Sequence, residues 1–161
     1  MKIATIGFSG SGKSYIASIL QNLGFYWIRS DAIRKSLFGS FYDEETTRKV
    51  YNELINMAKS HKDAVLDAAF LKRWQRKLVI DNFPDEYFFL WVKADENLIK
   101  QRLQTRKDIS DADFNVYLMQ KSSFEPPDEI PEDRLFVLVN NNDDTIDILK
   151  QLISSLKARN L

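Results

Sequence analysis

Cysteine is absent from this chain of 161 residues, and histidine occurs once. Disulfides and thiolate metal sites are thereby excluded, and one imidazole supports neither a histidine metal cluster nor a Ser-His-Asp triad. Any metal has to be held by oxygen. Long apolar runs are missing too: nothing approaches the roughly 18 consecutive apolar residues of a bilayer-crossing helix. Met1-Lys2-Ile3 enters a strand pattern without the apolar segment and cleavage site of a signal peptide, so a cytoplasmic location with no membrane partner is expected. An excess of one charge is also lacking, with 23 basic and 23 acidic residues. The whole-molecule field therefore offers no general pull on nucleic acid, which leaves only a local basic groove for that role.

What is present is ordinary for a soluble globular domain, 44% apolar and 29% charged. Without repeats, low-complexity tracts or linkers, residues 1–161 are expected to form one domain. Ile3 to Gly7 is a short apolar run that suits a buried parallel strand, and Ser14 to Leu23 places Ile16, Ile19, Leu20 and Leu23 on one helical face. Phe25 to Ile28 is a second strand; Ser30 stands as N-cap of a helix carrying Ile33 and Leu37 and closing at Gly39. A helix over Asp43 to Lys59, a strand over Ala64 to Asp67, a basic helix over Leu71 to Asn82 and a strand over Tyr87 to Val92 follow. Glu96 to Lys107 is helical, Leu135 to Val139 is the last strand, and Thr145 caps an amphipathic C-terminal helix with Leu149 and Leu156 facing inward. Strands alternating with helices require crossover connections, so the class is α/β with a parallel sheet. About forty residues, Asp95 to Arg134, are too many for a simple connection of ~2–6 residues. They read as a lid that leaves through the stiff Glu125-Pro126-Pro127.

Gly7-Phe8-Ser9-Gly10-Ser11-Gly12-Lys13-Ser14 fits G-x-x-x-x-G-K-[ST] between a strand and a helix, the context a P-loop needs. Glycines let successive amides turn toward phosphate oxygens, and the helix beginning near Lys13 adds its positive end. ATP is the expected ligand, with Gly7, Ser9, Gly10, Ser11, Gly12, Lys13 and Ser14 as its cradle. Lys13 reaches the outer phosphates, and the Ser14 hydroxyl is a ligand for Mg²⁺, a hard cation that needs few protein groups.

Asp31 and Arg34 lie three apart at the start of a helix, at the strand-end edge where parallel sheets bind ligands. An aspartate there orients an acceptor hydroxyl and takes its proton, and an arginine holds an anionic part of the acceptor. The same pair also suits a plain first turn with its i,i+3 partner. Arg102 and Arg106, four apart, present two guanidinium groups for the nucleotide and the transferring phosphoryl, with Arg106 the stronger catalytic choice. A solvated helix face is the plain alternative. Lys72, Arg73, Arg76 and Lys77 surround Trp74, so Arg73 and Arg76 are candidates for an acceptor groove, or else for a soluble surface around one packed tryptophan.

Gly7 to Ser14, Ser30 to Lys35, Val65-Leu66-Asp67-Ala68-Ala69-Phe70 and Ser110-Asp111-Ala112-Asp113 together resemble a family of P-loop kinases with AAA-type ATP binding. That group takes in zeta-type toxins and the kinase domain of polynucleotide 5′-hydroxyl kinases. The resemblance implies a three-layer P-loop NTPase sandwich, five parallel strands in the order 2-3-1-4-5, and a helical lid. It also implies that Asp31 activates the acceptor, that Arg34 contacts an acceptor phosphate, and that Asp67 is a Walker-B-like acid ordering magnesium. The partner domains of the bifunctional members, a phosphatase, a ligase or an aminoglycoside-kinase-like unit, have no counterpart in this chain. The expected activity is ATP- and Mg²⁺-dependent phosphoryl transfer to an acceptor hydroxyl, either a polynucleotide 5′ end or a sugar, nucleoside or antibiotic. A nucleotide-dependent switch that phosphorylates no acceptor is the reading from another class.

Overall fold

A computed structural model describes residues 1–39, 42–105, 111–140 and 144–159, with the backbone alone for 111–113. Five parallel strands make one sheet: β1 (Lys2–Ile6), β2 (Tyr26–Arg29), β3 (Ala64–Asp67), β4 (Tyr87–Lys93) and β5 (Leu135–Val139), ordered β2-β3-β1-β4-β5. This is the order expected from the resemblance. β1 and β3 are buried throughout because both of their faces are covered. Register follows from that burial: Ile3 lies beside Val65 on one side and Phe88 on the other.

Successive residues of β1 feed opposite cores, as the two-residue period of a strand requires. Ile3 joins Val65, Phe88 and Leu90 under α1 (Lys13–Asn22) and α7 (Thr145–Arg159), whose Ile16, Leu20, Leu149, Ile153 and Leu156 are buried there. Ala4 and Ile6 join Leu66 and Phe89 under α3 (Glu44–Lys59) and α4 (Arg73–Asn82), which contribute Val50, Leu54, Ile55 and Val79. None of the described helices is long and apolar enough to cross a membrane.

The second helix differs from expectation. α2 (Ser30–Ile33) takes Ser30 as its first residue, with Arg29 in the capping position and no side-chain cap. It then widens into a π-helical turn, Arg34–Phe38, before Gly39 ends it at φ +72°. A π turn repeats at about i+5 rather than i+4. Phe38, five after the buried Ile33, therefore packs on the core, while Leu37 is 58% exposed.

The basic helix is also corrected. Arg76 is fully buried, so it presents nothing to an acceptor. Its guanidinium donates twice to the Glu129 carboxylate and to the carbonyls of Phe70 and Pro126, bolting the 126–129 segment to the end of β3. Arg73 is turned to Asp128 and Glu129 on the outside of that bolt. Opening a buried pair leaves the surviving charge without compensation. Arg76→Met is accordingly expected to destabilise the protein by about 3 kcal/mol in urea unfolding, with Glu129→Leu on top restoring part of the loss.

The stretch between β4 and β5 holds α5 (Glu96–Thr105) and α6 (Asp111–Ser123), packed through Ile99, Leu103 and Tyr117 with Phe8 and Phe114. The helix expected to reach Lys107 is described to Thr105, and Arg106 lies outside the described residues.

Candidate active site

The loop Gly7 to Ser14 leaves β1 in the middle of the sheet and turns into α1. Gly12 sits at the N-cap with φ +99°, and a Cβ there would lie 2.0 Å from Nδ2 of Asn140. Gly10 has φ +81°, and its Cβ would lie 2.9 Å from Cγ2 of Ile99. Both positions need glycine for backbone sign and for space. The Ser11 carbonyl accepts from Asn140 Nδ2 (3.1 Å) and Arg102 Nη1 (3.2 Å), the Gly10 carbonyl also accepts from Arg102 Nη1 (3.2 Å), and Arg102 Nη2 donates to the Asn140 carbonyl (2.8 Å). Arg102 thus takes up two loop carbonyls that would otherwise repel an anion, beside the positive end of α1.

Three further donors of the loop have partners within the protein. Lys13 Nζ donates to the Phe8 carbonyl at 2.9 Å, and the Ser9 amide donates to Oε1 of Gln120 on α6 at 2.7 Å. The Ser14 hydroxyl donates to Asp67 Oδ2 at 3.0 Å, and the Trp27 indole donates to the same oxygen at 3.0 Å. Asp67 ends β3 one strand from the loop and is 6% exposed, with Arg29 Nε 4.0 Å away. A hydroxyl and a carboxylate at this separation form an oxygen donor set that fits Mg²⁺, a cation that completes its shell with water and phosphate.

On the other side of β3, Asp31 is exposed on the first turn of α2 and Arg34 is recessed, 8% exposed. Arg34 Nη2 donates to Thr47 Oγ1 at 3.2 Å, and its guanidinium carbon stands 4.4 Å from the ring centre of Tyr42. Tyr51, buried beneath them, accepts the Phe70 amide at 3.1 Å. Phe70 has φ +47°, the single described non-glycine residue in that region, so the chain turns sharply just past Asp67. Burial pushes the Tyr51 phenol well above its ordinary range, so it stays protonated and able to donate.

These groups share one cleft of about 1730 Å³, lined by Ser9, Gly10, Gly12, Lys13 and Ser14 of the loop, by Asp31, Arg34 and Asp67, and by Arg102 and Asn140. Gly7 and Ser11 are buried and are not part of its lining. Among its described lining residues Lys13, Arg29, Arg34, Lys72 and Arg102 outnumber the acids Asp31 and Asp67, so a chain of net charge zero has a local excess of positive charge here. Arg73 and Arg76 are not part of the lining, and Lys72 and Gln75 of the same segment are. Sequence reasoning missed Tyr42, Thr47, Tyr51, Gln120 and Asn140. Asn140, one residue past β5, had a usable signal in its place at a strand end.

A five-stranded parallel sheet in this order, with a glycine loop between β1 and α1 followed by Lys-Ser and faced by a strand-end aspartate, is the P-loop kinase architecture. The AAA domain family model matches residues 3–127, and the chain belongs to that family. Its fold is shared with a gluconokinase from Sinorhizobium meliloti 1021 (TM-score 0.75, 20% identity, 98% of this chain and 96% of that one covered). It is shared too with the Mycobacterium tuberculosis APS kinase CysC in complex with AMPPNP and APS (0.70, 18%, 97% and 96%). A third similar structure is Chaetomium thermophilum Kti12 in complex with ADP-AlF3 (0.67, 15%, 96% and 98%). No curated protein sequence matches the chain.

Proposed function

We propose that the protein is an ATP- and Mg²⁺-dependent kinase that phosphorylates a hydroxyl on a small acceptor bearing an anionic group. The observation that carries this reading is the single cleft joining Lys13, Ser14 and Asp67 to Asp31 and Arg34. Lys13 and the loop amides hold the phosphates, and Arg102 keeps the loop in shape from behind. Ser14 and Asp67 hold Mg²⁺, which draws charge from the phosphate oxygens when bound. Asp31 orients the acceptor hydroxyl and takes its proton; Arg34 and Lys72 grip the acceptor's anion.

A small acceptor is favoured over a polynucleotide 5′ end for two reasons. Arg73 and Arg76 of the basic stripe that suggested a nucleic-acid groove are taken up by Asp128 and Glu129. Arg34 lies recessed beneath Tyr42 rather than on an open track. The names gluconokinase and APS kinase among the similar structures point the same way. The test is to incubate the protein with γ-labelled ATP and sugars, sugar acids, phosphorylated metabolites, nucleosides, aminoglycosides and 5′-hydroxyl oligonucleotides. Label on a small anionic acceptor supports the proposal. Label on oligonucleotides alone returns the reading to a polynucleotide kinase, and phosphate release without any labelled product makes the protein a switch.

Arg34→Ala separates the two halves of the cleft. The expected result is an acceptor KM raised about 10- to 100-fold, the loss of a charge-assisted contact of ~1.5–3 kcal/mol, with the KM for ATP nearly unchanged. The reverse pattern moves Arg34 to the nucleotide side.

A further inference from the structure

The contact between the P-loop and α6 has no role in the reading above. Gln120 Oε1 accepts the Ser9 amide at 2.7 Å across 111 residues of sequence. The neighbouring Phe8 ring sits edge-on to Tyr117 (5.7 Å) and Phe124 (5.1 Å), at and just beyond the same helix. One turn apart, Tyr117, Gln120 and Phe124 share a face, so α6 is fastened to the loop by one polar bond between two ring contacts. Position along the loop says which phosphate this amide serves. Its Gly12 end touches Arg102 and Asn140, the latter just past β5 at the sheet edge opposite β2, which leads into Asp31 and Arg34. The Ser9 end touches α6, whose Met119, Ser122 and Ser123 line the cleft together with Asp31, Arg34 and Lys72. Ser9 thus donates on the side of the proposed acceptor residues, the side to which a phosphoryl group bound for transfer must point.

We infer that the Gln120 carboxamide stands in for a terminal phosphate oxygen on the Ser9 amide and is displaced by it, so that α6 distinguishes nucleoside triphosphate from diphosphate. This rests on the P-loop being the nucleotide site. A phosphate oxygen is the stronger, charged acceptor for an amide donor, and one N–H aimed at one acceptor cannot serve both at full strength. A diphosphate, which stops short of Ser9, leaves the Gln120 bond and both ring contacts in place.

The test is calorimetric binding of AMPPNP and of ADP, each with Mg²⁺, to the wild type, Gln120→Ala and Gln120→Glu. Gln120→Ala removes the competing acceptor and is expected to tighten AMPPNP about threefold to tenfold, the range of one net hydrogen bond. Gln120→Glu puts a charged acceptor on Ser9 beside the incoming phosphate and is expected to weaken AMPPNP by about tenfold or more. ADP affinity is expected to stay within about twofold in both, which also verifies that the variants are folded. In the wild type, AMPPNP but not ADP should speed amide exchange over residues 114–123 of α6. Equal changes for the two nucleotides, or an AMPPNP affinity indifferent to residue 120, overturns the inference while the nucleotide site stands. A wild type that binds neither nucleotide overturns both.

Discussion

Lys13→Met is expected to lower phosphoryl transfer by roughly 10³-fold in kcat/KM while leaving the melting temperature nearly unchanged. The small stability effect follows from the side chain's surroundings. Lys13 is partly exposed, and its ammonium donates to the Phe8 carbonyl. A thioether of similar length keeps the packing of the aliphatic stem, and the bond to Phe8 that it gives up is worth about 1 kcal/mol. The large kinetic effect follows from charge. In the proposed transfer the loop amides and the end of α1 would supply partial charges, whereas Lys13 would supply a full one at the phosphates, where negative charge moves. Lys13→Arg is not expected to rescue: the loop passes a glycine with no room for a Cβ next door, and a planar fork does not replace a compact ammonium. ATP hydrolysis in the absence of acceptor gives a readout before any acceptor is known. Wild-type hydrolysis by Lys13→Met would remove Lys13 from the chemistry.

How much of this was legible depended on the range of the forces involved. Apolar runs such as Ile3 to Ile6 and Phe88 to Val92 can be read as buried parallel strands because their burial is written locally. The glycine loop is legible for a similar reason, since positive φ at Gly10 and Gly12 and an adjacent helix start leave a fixed spacing. Asp67 and Ser14, 53 residues apart in the chain, were placed together only through the resemblance, and they stand 3.0 Å apart. Period alone misled at Arg76. Spacing put it on a basic face with Lys72 and Arg73, but a carboxylate 53 residues downstream claimed it, and nothing in the helix's own sequence records that partner. Leu37 failed for a different reason, because helical counting assumes 3.6 residues per turn and this segment widens to a π turn. Gln120 and Asn140 were invisible to local reading, since their roles exist only through contacts to Ser9 and Ser11 more than a hundred residues away.

Asp31→Asn is the second large effect: transfer is expected to fall about 10²- to 10⁴-fold, the span of general acid–base catalysis, with ATP and ADP affinity unchanged. Asparagine keeps the size and the ability to accept a hydrogen bond but cannot take a proton from the acceptor hydroxyl. The position makes the split between binding and transfer sharp. Asp31 belongs to α2, which follows β2 at the edge of the sheet, while the glycine loop follows β1, with β3 between them. The first turn of α2 can therefore change without disturbing Lys13, Ser14 or the Ser14–Asp67 contact. Stability should hardly respond, because Asp31 is exposed. Two other carboxylates could be imagined in its place. Asp67 is nearly buried and already accepts from Ser14 and Trp27, which suits a metal-side acid better than a base that must meet an acceptor. Glu129 is bound to Arg76, which lies outside the cleft lining. That leaves Asp31 as the lining carboxylate on the acceptor side, next to the recessed Arg34 that would hold the acceptor's anion within its reach. The informative comparison pairs Asp31→Asn with Arg34→Ala in single-turnover assays at saturating ATP. The first should lower the maximal rate with little change in half-saturating acceptor, and the second should do the opposite. Normal turnover in Asp31→Asn would assign the proton to another acceptor and reduce Asp31 to a first-turn partner of the helix dipole.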